Sequence, residues 1–206
     1  MRTRRANHRG YTLIEVLMAL AVLGTGVTGI VSMMNGAIYS NRRAHEMTMA
    51  TQLARRWQER LRTDALLWNS PSNRSVVSDL GRDTAYLCRV VGCAGGAASV
   101  NQWFVPTAPA GRTETAAFDA FGNDVPLGAT TVRYCTNLRL NWLRAETASR
   151  QGLIRAEIRV WWFREGATHL PEYDSCGQAG GLLTLGQDIQ RLDFVYAATA
   201  VMGNPS

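Results

Sequence analysis

The chain has 206 residues, 46% of them hydrophobic, and all 22 basic residues are arginine, which gives a formal net charge of +6 at pH 7. This length allows one membrane segment and one modest domain with a core of its own. The charge does not indicate a nucleic-acid-binding protein. Four arginines lie in the first ten residues, and the remaining 18 are nearly balanced by 16 acidic residues. Nucleic acid is therefore not an expected partner.

A basic segment, residues 1–10, precedes a long apolar run. From Tyr11 to Asn41 the only charged residue is Glu15, and there is no proline. As a helix, the most apolar part, Val16–Met34, would be about 28 Å long, close to the thickness of a bilayer's hydrocarbon core. The run therefore predicts a membrane helix. Glu15 lies near its start, where a carboxylate is costly and needs a partner.

The order of these segments predicts how the chain is processed and oriented. An ordinary secretory signal is cleaved after its apolar region, whereas the candidate cleavage residue here, Gly10, precedes that region. Cleavage after Gly10 would leave the helix on the mature protein. The basic leader predicts a cytoplasmic N-terminus, with the following domain in the periplasm.

The residues around Gly10 resemble the processing motif of a known family. The segment Gly10–Val16 (Gly-Tyr-Thr-Leu-Ile-Glu-Val) is similar to that of type IV prepilins and pseudopilins, in which a glycine precedes an aromatic residue or methionine and then Thr-Leu-Ile-Glu. The continuation to Gly36 is most like the V-type minor pilins. Two features depart from the pattern: Tyr11 stands where phenylalanine is commoner, and the mid-helix proline of major pilins is absent.

The resemblance implies a function in assembly. A prepilin peptidase would cleave between Gly10 and Tyr11 and methylate the new Tyr11 amine. The chain would act as a minor pilin, priming assembly or joining the tip complex of a type IV pilus. It would contact other minor pilins and the major pilin through its N-terminal helix, first in the inner membrane and then in the cell-surface pilus.

Two other functions fit the same signal. A minor pseudopilin of a type II secretion system carries the same N-terminal motif. The head could also be an adhesion or DNA-binding module displayed on the same stalk. The first seventy residues do not distinguish these alternatives from the minor pilin.

Glu15 acquires a specific expected partner from this motif. A lone carboxylate in hydrocarbon must be neutralised or paired. Cleavage after Gly10 would create a cation, the Tyr11 amine, at the same membrane depth. We expect Glu15 of an incoming subunit to pair with the Tyr11 amine of its neighbour during assembly. The alternative is a carboxylate that reaches the lipid headgroups without a protein partner.

The four cysteines, Cys88, Cys93, Cys135 and Cys176, are an even number, as is usual in an oxidising compartment. Three pairings are possible. We favour Cys88 with Cys93, which are close in sequence, and Cys135 with Cys176, which would join a strand to a later loop. Buried free thiols are the alternative. A zinc site is not expected, because no histidine lies near the only close pair.

The sequence contains no pattern that indicates catalysis, a metal or a cofactor. The segment Gly24–Gly29 matches G-x-G-x-x-G, but the apolar run before it is too long for a strand and no βαβ unit surrounds it. Asp119, Asn123 and Asp124 lack the spacing of a calcium loop. The sequence shows no motif that combines a nucleophile with a base and a group to orient the base. We therefore do not expect an enzyme.

The chain beyond the membrane helix (11–36) predicts a stalk and a head. In residues 37–69, apolar side chains recur every three or four positions and mark one helical face, which we expect to pack on the chain's own head. The residues of this face are Ala50, Leu53, Trp57, Leu61, Ala65 and Trp68. Asn69-Ser70-Pro71 should end the helix.

Residues 70–206 should form the head. Segments 132–142 and 154–162 alternate apolar and polar residues, which is typical of antiparallel strands with one buried face. Leu192, Phe194 and Tyr196 indicate a third strand, and a short helix is expected near 75–80. The predicted fold class is α+β, a type IV pilin-like fold with one long helix packed on an antiparallel sheet.

The outer face of this sheet should be wet and carry a basic patch beside an aromatic residue. Its members are Arg133, Arg139, Arg155, Arg159 and Trp161.

Overall fold

A single long helix begins the part of the chain that the computed structural model describes, which comprises residues 11–70, 78–107, 113–164, 175–177 and 191–205. Helix α1 spans Leu13–Ala65. It crosses the boundary between two compact units, Met1–Glu46 and Met47–Ser206. The described residues of the first unit are almost all exposed, whereas the second unit contains a hydrophobic core.

The second half of α1 packs on the head as predicted. Ala50, Leu53, Trp57, Leu61 and Ala65 are each at most 6% exposed and belong to one core cluster. This apolar face repeats with the period of the helix, so its residues line one side of α1. The core that they form with the sheet is the largest in the described part of the chain.

The head is built on an antiparallel sheet. The described strands, in chain order, are β1 (Asn69–Ser70), β2 (Trp103–Phe104), β3 (Ala117–Phe118), β4 (Asp124–Val125), β5 (Tyr134–Arg144), β6 (Leu153–Phe163), β7 (Leu192–Met202) and β8 (Asn204–Pro205). Strands β2–β7 form the main sheet. The main sheet has the order β4-β3-β5-β6-β7, and β2 also pairs with β5. Strands β1 and β8 form the parallel pair. The α+β class and the pilin-like arrangement of helix and sheet are confirmed.

The register of the three long strands determines which side chains meet the helix. Leu138 on β5 lies opposite Ile158 on β6, which lies opposite Ala197 on β7. Leu138 and Ile158 belong to the core that contains the face of α1, and the partly buried Ala197 packs against it. Because side chains alternate along a strand, Phe194 and Tyr196 of β7 point to the outer face, where both are about half exposed.

The predicted end of the long helix was wrong. Helix α1 ends at Ala65 and not at residue 69, because the following N–H groups bond to carbonyls three residues back, from Leu66 to Thr63 (3.2 Å) and from Trp68 to Ala65 (3.1 Å). This tighter turn still carries Trp68 into the core. Of the short helix expected near residues 75–80, residues 75–77 lie outside the described residues, and helix α2 spans Leu80–Asp83.

A buried carboxylate holds the connection after α2 against α1. Asp64 is fully buried, and its Oδ1 accepts a hydrogen bond from the N–H of Ala85 (2.6 Å). Its Oδ2 accepts hydrogen bonds from the N–H groups of Tyr86 and Leu87, both at 2.9 Å. Leu87 opens a 3-10 helix, so Asp64 satisfies donors that such a terminus leaves free.

An arginine fastens the β3–β4 hairpin to the same helix. The Arg60 guanidinium donates to both oxygens of Asp124 at 2.9 and 2.8 Å. Its Cζ lies 4.8 Å from the Trp57 ring centroid and 5.7 Å from that of Phe118. The cation is thus held by a two-point ion pair and two aromatic rings.

The structure joins Cys88 to Cys93 and Cys135 to Cys176, which is the pairing favoured from the sequence. The first bridge closes a short segment of 3-10 turns, and the second fixes Cys176 to β5. Cys135 and Cys176 are both buried.

Replacing Asp64 with asparagine should destabilise the head. The amide keeps one acceptor oxygen but brings two new N–H donors towards the backbone donors of Ala85–Leu87. Leaving a buried donor unpaired costs about 1–3 kcal/mol, so we expect the unfolding free energy to fall by about 2 kcal/mol or more. Denaturant unfolding of the detergent-solubilised chain, followed by near-UV circular dichroism, measures this. The exposed Glu59→Gln, which removes only a helix-surface ion pair with Arg62, is the control, and an equal loss in both variants would contradict the role of Asp64.

Candidate processing and assembly site

The N-terminal motif lies at the exposed start of α1. Tyr11 is the first described residue and is 83% exposed. Gly10, the other residue of the expected cleavage site, lies outside the described residues.

Glu15 lies in the first turn of α1. Its N–H donates to the backbone oxygen of Thr12 at 3.1 Å and lies 3.4 Å from the Thr12 hydroxyl oxygen. The side chain of Glu15 is exposed. A carboxylate in the first turn is favoured by the helix dipole, but this does not remove the cost of an unpaired charge in hydrocarbon.

The rest of the motif region is an apolar surface that its own unit does not bury. Val22 is 72% exposed, Ile30 62% and Met33 81%. In length and composition α1 is able to cross a membrane. Such a surface must be covered by lipid or by other chains.

The glycines of this region have no packing role within the chain. A Cβ built on Gly24, Gly26 or Gly29 would meet no atom within 4 Å. The hydroxyls of Thr25 and Thr28 donate to carbonyls of the preceding turn, at 2.9 Å for both Thr25 to Val22 and Thr28 to Thr25. Because glycine weakens a helix by up to about 1 kcal/mol relative to alanine, these positions cost helix stability without a compensating contact inside the chain.

Two residues of the basic patch predicted on the outer sheet face, Arg139 and Arg159, belong to a connected cluster. We call Trp103, Arg139, Glu157, Arg159 and Tyr196 the outer-face cluster. The Trp103 ring lies 4.9 Å from Arg139 Cζ and 4.4 Å from Arg159 Cζ. Its centroid is 5.9 Å from that of Tyr196 in an edge-to-face arrangement. Trp103 comes from β2, and sequence periodicity gave no signal that it would cover β5 and β6.

Glu157 neutralises part of this patch. It is 3% exposed and forms ion pairs with Arg139 and, at 2.8 Å, with Arg155. Burial alone would raise the pKa of Glu157, but hydrogen bonds from Tyr196 and Arg139 and the charges of Arg139 and Arg155 outweigh it and lower this pKa below its usual 4.5. Glu157 is thus ionised at neutral pH.

Arg159 is the least compensated cation of the cluster. Its Nη2 donates to Asn137 Oδ1 at 3.2 Å, while its Nε is buried without an acceptor in the described part of the chain. Burial lowers the pKa of Arg159 to about 10. It remains a cation at neutral pH, held by an amide oxygen and an aromatic face.

The expectation that this face is wet was wrong at Trp161, which is 2% exposed. Its indole N–H donates to Asn137 Oδ1 at 2.8 Å, and Asn137 in turn donates to the carbonyl of Cys176 at 3.2 Å. The residues around the second disulfide pack over this end of the face, in a cluster with Trp161. Arg133 is half-buried.

Among the described residues, no group of three or more His, Cys, Asp or Glu side chains is placed to hold a metal ion. The acidic residues considered for calcium have other contacts. Asp119 Oδ1 accepts the N–H groups of Phe121 (2.8 Å) and Asn123 (2.9 Å), which forms a turn. Asp124 pairs with Arg60.

The Glu157→Gln variant should lose stability at neutral pH but not in acid. A carboxylate with a lowered folded-state pKa stabilises the fold above its unfolded pKa, and this contribution disappears as pH falls through the folded-state pKa. At pH 7 the variant leaves Arg139 and Arg155 without their carboxylate, which should cost roughly 3 kcal/mol. Unfolding curves measured from pH 7 down to about pH 3 should converge for wild type and variant. A difference that does not change with pH would contradict this, and Asp83→Asn, at an exposed arginine pair, is the control.

Comparison with known proteins adds one result. Residues 5–31 match the family model described as the prokaryotic N-terminal methylation motif. No curated protein and no solved structure shows significant similarity to the chain. The matched segment contains the cleavage and methylation residues expected from the sequence, Gly10 and Tyr11, as well as Glu15. It points to a structural protein rather than to an enzyme. With this motif at the start of a long apolar helix that is followed by an antiparallel sheet, the chain resembles a type IV pilin-like prepilin.

Proposed function

We propose that the chain is a minor pilin of a type IV pilus, of V-type character, that helps to prime assembly or forms part of the tip complex. The observation that carries the proposal is the methylation motif at the start of an exposed, membrane-capable helix whose second half belongs to a separate compact head. Prepilin peptidase, other minor pilins and the major pilin are the partners that this motif implies.

The proposed cycle begins in the inner membrane, with the head in the periplasm. Two disulfides fit an oxidising compartment. Cleavage of the peptide bond between Gly10 and Tyr11 releases the basic leader, and methylation then modifies the new amine of Tyr11. Processing therefore replaces a basic peptide at the helix start with a single cation.

Glu15 supplies the contact that makes assembly depend on processing. It lies one helical turn after Tyr11, so the amine and the carboxylate of one subunit have similar depths in the membrane. Stacking two subunits with a small axial offset brings the carboxylate of one to the amine of the other. In hydrocarbon this pair is favoured because either charge alone is costly.

The glycines support assembly through this helix. Gly24, Gly26 and Gly29 lack close neighbours in their own chain, and small residues allow helices in a membrane to approach closely. We infer that neighbouring helices in the filament supply the missing contacts.

The absence of a proline from helix α1 favours a minor pilin over the major pilin that forms most of the filament. Helix α1 is continuous from Leu13 to Ala65 and contains no proline, whereas major pilins carry a mid-helix proline. The size of the head and its two disulfides favour a pilus over a type II secretion pseudopilus. The DNA-binding alternative loses support because Arg139 and Arg155 are already paired with Glu157.

Deletion of the gene should separate the pilus from the secretion alternative. We expect surface pili, counted by electron microscopy and measured in sheared fractions, to fall sharply while secretion of type II substrates continues. Complementation with the wild-type chain should restore the pili. Normal piliation with lost secretion would instead identify a pseudopilin.

The Glu15→Gln variant should be processed but should not assemble. The glutamine side chain has nearly the size of glutamate and is equally compatible with a helix. Because it is uncharged, it cannot neutralise the Tyr11 amine of a neighbour. We expect normal cleavage and methylation, with incorporation into sheared pili reduced by tenfold or more, equivalent to about 1.4 kcal/mol. Quantitative immunoblots of membrane and pilus fractions measure this, with Glu59→Gln in the head as the matched control. Normal processing together with incorporation equal to wild type would disprove the pairing.

A further inference from the structure

The outer face of β7 exposes a row of apolar side chains. Phe194 is 50% exposed, Tyr196 45% and Met202 47%, and Ala198 and Ala200 between them are also exposed. These alternate residues, the β7 row, lie on one face of the strand and extend over roughly 26 Å. In the described part of the chain, β7 pairs with β6 alone and forms one edge of the sheet. An exposed apolar row of this length on an edge strand is typical of an interaction surface.

Cations border this row on β6. Arg155 lies opposite Ala200, Glu157 opposite Ala198 and Arg159 opposite Tyr196. With Arg139 on β5, three arginines surround one glutamate, so two positive charges remain uncompensated within this group. Arg155 and Arg159 are four residues apart on one face of a strand, which places their backbones roughly 13 Å apart.

The cations are held in place before any partner binds. Trp103 packs against Arg139 and Arg159, and Glu157 pairs with Arg139 and Arg155. A preorganised arginine loses less conformational entropy on binding than a free one. Each guanidinium has five N–H donors, so the contacts within the cluster leave donors for another group.

We propose that the β7 row and the neighbouring arginines bind an extended, acidic segment of another protein subunit, with carboxylates at positions i and i+4 and an apolar residue at i+2. The carboxylates meet Arg155 and Arg159, which are spaced like two such side chains on one face of a strand. The central apolar residue lies over Glu157 and beside the β7 row, where a third carboxylate would be repelled by Glu157. The identification of the partner as a pilus subunit rests on the proposed function. The charge and spacing that would recognise an acidic segment rest only on the structure of this face.

The charge pattern favours a protein over a nucleic acid. Non-specific binding of a polyanion depends on many cations that contact successive phosphates. Arg139, Arg155 and Arg159 together with Glu157 supply two uncompensated charges, and Glu157 lies between Arg155 and Arg159 along β6. An alternating acidic and apolar strand matches both the charges and the apolar row.

Binding of short peptides to the full chain in phosphatidylcholine nanodiscs tests the proposal. The probe is a fluorescein-labelled Glu-Thr-Val-Thr-Glu amide, followed by fluorescence anisotropy at low ionic strength. One control, Gln-Thr-Val-Thr-Gln, removes the charges. A second, Glu-Glu-Val-Thr-Thr, keeps the composition and net charge but points its carboxylates to opposite faces. We expect the probe to bind at least tenfold more tightly than either control.

Variants locate the site. Arg159→Gln should remove the tenfold preference, whereas Arg89→Gln, which removes a similar arginine contact at 4.8 Å from Phe104 outside the cluster, should retain it. Because Arg159 is half-buried, Ala198→Asp provides a second variant: it alters an exposed position and should repel the probe without disturbing the fold.

Three results would overturn the proposal. Equal binding of the two acidic peptides would show that net charge alone attracts them and that the spacing of their carboxylates does not matter. Absence of peptide binding would remove the site, and tighter binding of a thymidine oligonucleotide would assign the face to nucleic acid. None of these results affects the Glu15 test, so a failure here is distinguishable from a failure of the proposed function.

Discussion

The apolar first half of α1 cannot be buried by its own unit, and this constraint governs the rest of the molecule. Side chains such as Val22 and Met33 remain largely exposed, and each fully exposed large apolar side chain forgoes about 1.5–3 kcal/mol of burial free energy. Lipid can cover this surface before assembly, and other helices can cover it afterwards. The glycines and Glu15 suit the assembled state, because glycines permit close helix contact and the proposed pairing would give Glu15 the Tyr11 amine of a neighbour.

The second half of the same helix has its apolar surface buried within its own unit. Its apolar face is buried in a core that it shares with the sheet and with the segment from Leu80 to Val90, and its polar residues fix the head. Asp64 receives three backbone N–H groups, and Arg60 is held between two rings and a carboxylate. The head is therefore attached through the side chains of the helix as well as through the chain connection.

Local patterns in the sequence predicted the features that depend on local periodicity. The buried face of α1, the alternation of β5 and β6 and the N-terminal motif are all of this kind. The contacts that sequence reasoning missed join distant segments. Trp161 is buried because the region of Cys176 packs over it, and Glu157 is buried beside Trp103 from β2; neither partner is visible in the alternation of β6. Asp64 lies among the inward positions of α1, and that placement was the available signal for its role.

The central claim is that the chain is processed at Gly10 and assembled as a filament subunit. Mass spectrometry of filaments sheared from the cell surface tests it most directly. We expect recovery of this chain beginning at an N-methylated Tyr11, at low abundance relative to the main subunit. Recovery only from the membrane fraction, with residues 1–10 still attached, would contradict both the processing and the assembly.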